Sequence, residues 1–200
     1  MDDRERGRMR RRLLWAGLAA PALALPGMRG VLAQSGELSA TPVCGDDPTP
    51  RDYEGPFFKP SSPMRASLLE PGISGTKLVL SGFVLAKDCR PLAGALLDFW
   101  HCDANGRYDN RGFRLRGHQL TDDRGGYRLE TIFPGEYPGR TRHIHVKVQA
   151  RGGPILTTQL YFPGNAGNDN DFLFKPALLM KLVDAGADRL GRFDFVLNLA

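Results

Sequence analysis

The chain has 200 residues, 27 Lys and Arg against 22 Asp and Glu, and a formal charge of +5. Seven arginines and three acids fall within residues 1–33, a local excess of +4 that leaves only +1 for the remainder. This distribution excludes a nucleic-acid-binding stripe, because no basic patch interleaved with aromatics lies beyond the leader.

In chain order, residues 1–33 read as an export signal. Arg10-Arg11-Arg12 precedes Leu13-Leu14-Trp15 and an uncharged stretch through Met28, and Val31-Leu32-Ala33 offers a small-residue cleavage site before Gln34. The order Arg-Arg-x-Leu-Leu resembles a twin-arginine signal, which implies a periplasmic or extracellular destination. The apolar core Leu13 to Leu25 is shorter than the roughly 20 residues that span a bilayer, so no stable membrane span is expected. Retention as an N-terminal anchor is the competing reading.

Residues 34–75 contain seven Pro and no hydrophobic period, and read as an extended N-terminal arm. Residues 76–200 are then the catalytic or binding domain. Its candidate strands are Lys77–Ala86, Gly94–His101, Gly126–Ile132, Thr141–Ala150, Ile155–Phe162 and Arg192–Leu199, all short and bounded by Gly, Pro, Asn and Asp. That pattern predicts an all-β fold, an antiparallel β-sandwich. Pro176–Ala187 is expected to form one short C-terminal helix, with Pro at its start and Leu178, Leu179, Leu182 and Val183 on one side. Asp103-Ala-Asn-Gly and Asp169-Asn-Asp lack a complete calcium loop and read as turns.

Cys44, Cys89 and Cys102 cannot all pair within one chain. A strand rising about 3.3 Å per residue between Cys89 and Cys102 carries them beyond the roughly 7 Å Cα limit of a disulfide. Cys44 can pair with either one, and buried free thiols fit equally well.

The densest chemistry lies in Tyr108, Tyr137, Arg140, His143 and His145. In the run HIHVKVQA a strand period of two puts His143, His145, Lys147 and Gln149 on one face and Ile144, Val146, Val148 and Ala150 on the other. Two imidazoles on one face can share a metal ion. Tyr108 follows an Asn105-Gly106 turn, and Tyr137 precedes a Pro138-Gly139 turn. A phenol ionises near pH 10, so it binds as phenolate only where a polarising cation displaces its proton. Two phenolates with two imidazoles form a hard set suited to ferric iron rather than zinc or copper. With one hydroxide the ferric centre is neutral and fits a poorly hydrated pocket. An HxH pair on a solvent-facing strand, beside ordinary half-buried tyrosines, is the competing reading.

The surrounding residues resemble the intradiol ring-cleavage dioxygenases. The likeness runs from about Thr49 to Phe162 and rests on PTPRDYEGPFF, CRPLAGALLDFWHCDANGRYDN, GYRLETIFPGEYPGRTRHIHVKV and LTTQLYF. It implies that Tyr108, Tyr137, His143 and His145 are iron ligands, with Tyr137 and His145 axial and Tyr108 and His143 equatorial. It also implies that Arg140 stabilises negative charge developing on the substrate and that Gln159 is a polar active-site residue. Arg142 is left as a surface or ion-pairing arginine, and Tyr53 to Phe58 are placed near the mouth of the site. The expected cofactor is Fe(3+), and the expected partners are a small aromatic diol and O2, with self-association left open. The expected reaction opens the ring between its hydroxyl-bearing carbons to a cis,cis-muconate. A lone short domain is similar to a protocatechuate-type subunit. The rival reading is a non-catalytic β-sandwich binding module with a degenerate metal site.

Overall fold

The computed structural model describes residues 47–199. The leader and the first part of the arm, including Cys44, lie outside the described residues. Nine strands follow in order: β1 (Lys77–Ala86), β2 (Leu96–Trp100), β3 (Arg116–Leu120), β4 (Gly126–Ile132), β5 (His143–Gln149), β6 (Leu156–Tyr161), β7 (Lys181–Ala185), β8 (Asp188–Arg192) and β9 (Phe195–Leu197). One sheet has the order β4-β1-β8-β7, with β9 continuing beside β1, and the other has the order β3-β2-β5-β6. β8 and β9 run parallel to β1. The remaining ladders are antiparallel. Among the described residues no helix is long and apolar enough to cross a membrane.

Alternation decides which side of each strand is buried. Leu78, Leu80, Val84 and Ala86 of β1 and Leu129 of β4 meet Leu97 and Phe99 of β2, Ile144, Val146 and Val148 of β5, and Leu160 of β6 in one core. Apolar burial of this kind is the main favourable term in folding. It accounts for the agreement between pattern and structure in β1 and β4, whose bounds match the expected ones.

Elsewhere the structure corrects the expectation. No C-terminal helix forms at Pro176–Ala187. Only Pro176–Leu178 makes a single 3-10 turn, and Lys181–Ala185 is strand β7. The edge of β6 offers partners that a helix would forgo: Met180 N–H donates to Tyr161 O at 3.0 Å, and Leu179 bridges Tyr161. β7 then turns through the two residues Gly186-Ala187 into β8, since Ala185 pairs with Asp188. The strand expected over Arg192–Leu199 is split at Phe193 and Asp194: Phe193 N–H still donates to Ser81 O of β1, but Phe83 N–H of β1 donates to the Asp194 side chain instead of a backbone carbonyl. Strand β3 carries Arg116, His118 and Gln119 and has no apolar alternation to reveal it.

Residues 47–75 hold no strand of their own, yet their backbone is paired along most of their course. Thr49 N–H donates to Val196 O, Asp52 N–H to Thr157 O, Arg65 N–H to His118 O and Leu68 N–H to Glu130 O. The segment therefore touches β9, β6, β3 and β4 in turn. Cys89 is disulfide-bonded. Cys102 is a buried free thiol.

His101, just beyond β2, is buried with Nδ1 2.7 Å from Cys102 O and Nε2 2.6 Å from Thr131 Oγ1. Burial pulls its pKa from 6.5 down to about 4. The unfolded chain takes up this proton near pH 6.5 and the folded chain only near 4. Stability held above pH 6.5 is thus lost as the pH falls through that window. One such group is worth on the order of 3 kcal/mol. Urea midpoints of iron-free protein should fall steeply between pH 7 and 4.5, and less steeply in His101→Gln. Equal slopes would place the acid sensitivity elsewhere.

Candidate metal centre

Two loops and one strand converge to build the site. Asp103 Oδ1 accepts the N–H groups of Asn105 and Arg107, each at 2.9 Å, which shapes the turn before Tyr108. At Gly106 (φ +77°) a Cβ would lie 2.1 Å from Glu136 O, so only glycine lets this turn press against the loop that carries Tyr137. Gly135 N–H also donates to Asp103 O at 2.8 Å. The rings of Tyr108 and Tyr137 consequently stand 5.9 Å apart and nearly perpendicular.

β5 supplies both histidines. Its apolar face enters the core as expected, but His143 and His145 are themselves 2% and 1% exposed. That removes the reading of an HxH pair on a solvent-facing strand. Their Nε2 atoms face each other at 3.2 Å, and Tyr108 Oη lies 3.4 Å from His143 Nε2. The Tyr137 ring is 5.6 Å from the His143 ring. Thr141 O accepts a hydrogen bond from His143 Nδ1–H at 2.6 Å, leaving the Nε2 lone pair directed into the cluster. His145 stacks flat on Trp100 at 4.8 Å.

The arm closes this cluster from outside. Gly55 (φ +73°) passes so near that a Cβ would meet His145 Cε1 at 3.3 Å. Phe57 stacks on Tyr108 at 4.3 Å and meets Tyr137 edge-on at 6.3 Å. Sequence reasoning placed this segment near the mouth without identifying Phe57 as the ring that covers both tyrosines. It also missed Arg116, a buried side chain whose Nη1 donates to Phe57 O at 2.6 Å and whose guanidinium lies 5.9 Å from the Tyr108 ring centre. Strand β3 gave no signal that would have found it.

Arg140 and Gln159 join the same cluster. Arg140 Nη2 donates to Gln159 Oε1 at 2.6 Å, and Nη1 lies 3.5 Å from Tyr137 Oη. Gln159 Nε2 in turn donates to Tyr53 O at 2.6 Å, tying the arm to the site. Arg142 points away, donating to Pro134 O and stacking 5.0 Å over Phe133. A cavity of about 390 Å³ opens beside Tyr137 and Arg140, walled also by Pro138, Thr141, Gly167 and Asp171.

The donor chemistry can accommodate a strongly polarising cation. Burial raises the phenol pKa values of both Tyr108 and Tyr137. Burial lowers His143 to about 4 and His145 well below its ordinary value. Near neutral pH this makes a pocket of protonated phenols and neutral imidazoles. The donors can bind as two phenolates and two imidazoles once a strongly polarising cation replaces the phenol protons. Among the described residues there is no group of three His, Cys, Asp or Glu side chains that could hold a metal instead.

A family model described as dioxygenase matches residues 53–198. A solved dioxygenase domain, from a dioxygenase carbohydrate-binding protein fusion of Streptomyces sp. SirexAA-E, is 58% identical with a TM-score of 0.75. It covers 77% of this chain and 100% of that one. Chlorocatechol 1,2-dioxygenase from Pseudomonas sp. (strain P51) is 29% identical over 191 residues, which is 82% of this chain and 75% of that protein. The protocatechuate 3,4-dioxygenase beta chain of Burkholderia cepacia is 34% identical over 109 residues, 46% of each protein. This chain thus spans only part of the length of these two curated relatives. The matched region contains both tyrosines, both histidines, Arg140 and Gln159, and the chain belongs to the intradiol ring-cleavage dioxygenase family.

Proposed function

We propose that the protein is an exported ferric dioxygenase that opens catechol-type ortho-diols between the hydroxyl-bearing carbons, yielding cis,cis-muconate products. The observation that carries this reading is the convergence of Tyr108, Tyr137, His143 and His145 in one buried cluster with Arg140 alongside. These four side chains would hold Fe(3+). When bound, the metal supplies Lewis acidity that ionises the diol and enriches its ring in electrons toward O2.

The remaining work falls to the protein. Tyr137 Oη is the base that takes a diol proton, since it has Arg140 Nη1 at 3.5 Å and shares a cavity with that arginine, as Tyr108 does not. Arg140 stabilises negative charge that develops on the ring, a contribution of a few kcal/mol for a preorganised donor. Gln159 fixes one guanidinium nitrogen, and Phe57 and Trp100 keep water from the cluster by covering Tyr108 and His145.

A protocatechuate-like diol is the first substrate to test, with catechol and chlorocatechol beside it. Protein loaded with Fe(III) should be red to purple from tyrosinate charge transfer and should consume one O2 per diol opened. A colourless protein that takes up no O2 with any of the three would favour the non-catalytic binding module. Export through the Arg10-Arg11 signal is part of the proposal. Replacing that pair with Lys-Lys should leave iron-loaded protein in the cytoplasm, and unchanged export on cell fractionation would reject the twin-arginine route.

A further inference from the structure

Arg140 is held on three sides. Asp171 Oδ2 accepts its Nε–H at 2.9 Å, Gln159 Oε1 accepts Nη2–H at 2.6 Å, and Tyr161 Oη lies 3.4 Å from Nη2. Only Nη1 is left turned toward Tyr137 Oη, at 3.5 Å. The same Asp171 oxygen accepts Thr141 N–H at 2.9 Å, so one atom fixes the Arg140 side chain and the main chain of the next residue. The other oxygen accepts Leu173 N–H at 2.9 Å.

The Asp171 side chain is 1% exposed and that of Arg140 is 9% exposed. Burial alone would push the Asp171 carboxyl up, but the bonds from Leu173 N–H, the Arg140 guanidinium and Thr141 N–H hold it below the usual range. A buried, hydrogen-bonded pair of this kind is worth more as a geometric constraint than as net stability. The guanidinium is planar, so fixing Nε and Nη2 also fixes the direction of Nη1.

We propose that Asp171 is the positioning residue of the ring-opening site, aiming Arg140 so that its Nη1 edge faces Tyr137 and the bound diol. The proposal rests on the diol-cleaving function given above. Asp171 hydrogen-bonds to none of the four ligands; it acts on the site through Arg140 and, by way of Thr141, on the main chain whose carbonyl holds His143 Nδ1, and iron content separates the two routes. It directly follows the 3-10 segment Ala166–Asn170 after β6, where Asn165 Oδ1 accepts Gly167 N–H and Asn168 accepts Thr141 Oγ1–H, so this loop is already braced against residue 141. A loop staple alone would need an acceptor for Thr141 N–H. It would not need the negative charge.

The test is a double-mutant cycle with Asp171→Asn, Arg140→Met and the pair. Asp171→Asn should keep full iron content, an unchanged charge-transfer spectrum and a normal melting temperature, while kcat falls about 10- to 100-fold, the scale of misplacing one catalytic group. In the Arg140→Met background the same change should cost less than about threefold, because its target is gone. In the iron-free protein, the Arg140 Nε–H should lose its protection from solvent exchange in Asp171→Asn. Losses that multiply in the double variant, or unchanged kcat in Asp171→Asn, would overturn the positioning role. So would a fall in kcat that tracks only lost iron or lowered melting temperature. Titration of the ferric wild type with 4-nitrocatechol separates the two claims. Wild type that neither binds it nor opens any diol refutes the function itself, and this proposal falls with it.

Discussion

Replacing His143 or His145 with alanine should abolish both bound ferric iron and the tyrosinate colour. Each imidazole supplies one of two nitrogens that face each other at 3.2 Å, and among the described residues no group of three His, Cys or acids stands able to take its place. Losing one leaves three donors around a pocket that burial already keeps neutral, so nothing offsets the cost of holding a trivalent cation there. The fold itself should survive, because the core side of β5 is built by Ile144, Val146 and Val148. Iron analysis, visible absorbance and a melting curve on the same sample decide the matter. Stoichiometric iron with full colour in His143→Ala would show that the ligands were misassigned.

Tyr137→Phe should retain much of its iron yet turn over catechols about 10²- to 10⁴-fold more slowly, the range lost with a general base. The two phenols are not equivalent in their surroundings. Tyr108 is pinned between Phe57 and the His143 nitrogen, at 4.3 and 3.4 Å. Tyr137 has Arg140 at its oxygen and shares a cavity with it, whereas the cavity beside Tyr108 is walled by Asp103, Arg107, Asp109 and Arg114 and holds neither Arg140 nor Gln159. Tyr108→Phe should therefore act chiefly on iron affinity and colour. Iron content and single-turnover rates in both variants supply the comparison. Near-normal turnover in Tyr137→Phe together with its loss in Tyr108→Phe would reverse the two roles.

The sequence disclosed what alternation and short-range chemistry encode. β1, β4 and the core side of β5 follow from period two, and the turns before Tyr108 and after Tyr137 follow from Asn-Gly and Pro-Gly. What it hid depends on partners distant in the chain. Pro176–Ala187 satisfied a helical period locally, but hydrogen bonds to Tyr161 and the β7–β8 ladder override it. β3 stayed invisible because its buried members include Arg116, which donates to Phe57 O of the arm and Asp109 O of the Tyr108 loop, and Gln119, which accepts from Arg128 N–H of β4. Asp171 read as part of a polar turn. Its meaning appears only when Arg140, 31 residues earlier, is brought against it.

The arm that roofs the cluster is itself fastened to the far end of the chain. Thr49 N–H donates to Val196 O, and Val196 N–H donates back to Thr49 Oγ1, a link across 147 residues. Closing so long a loop is entropically costly and belongs among the slow, late events of folding. Phe57 and Tyr53 are held independently of that link, by Arg116 of β3 and Gln159 of β6, so the roof over the histidine pair has separate fastenings along the chain. The Thr49–Val196 clasp is therefore a redundant seal: its loss would free the start of the arm while Tyr53 and Phe57 stay over the cluster.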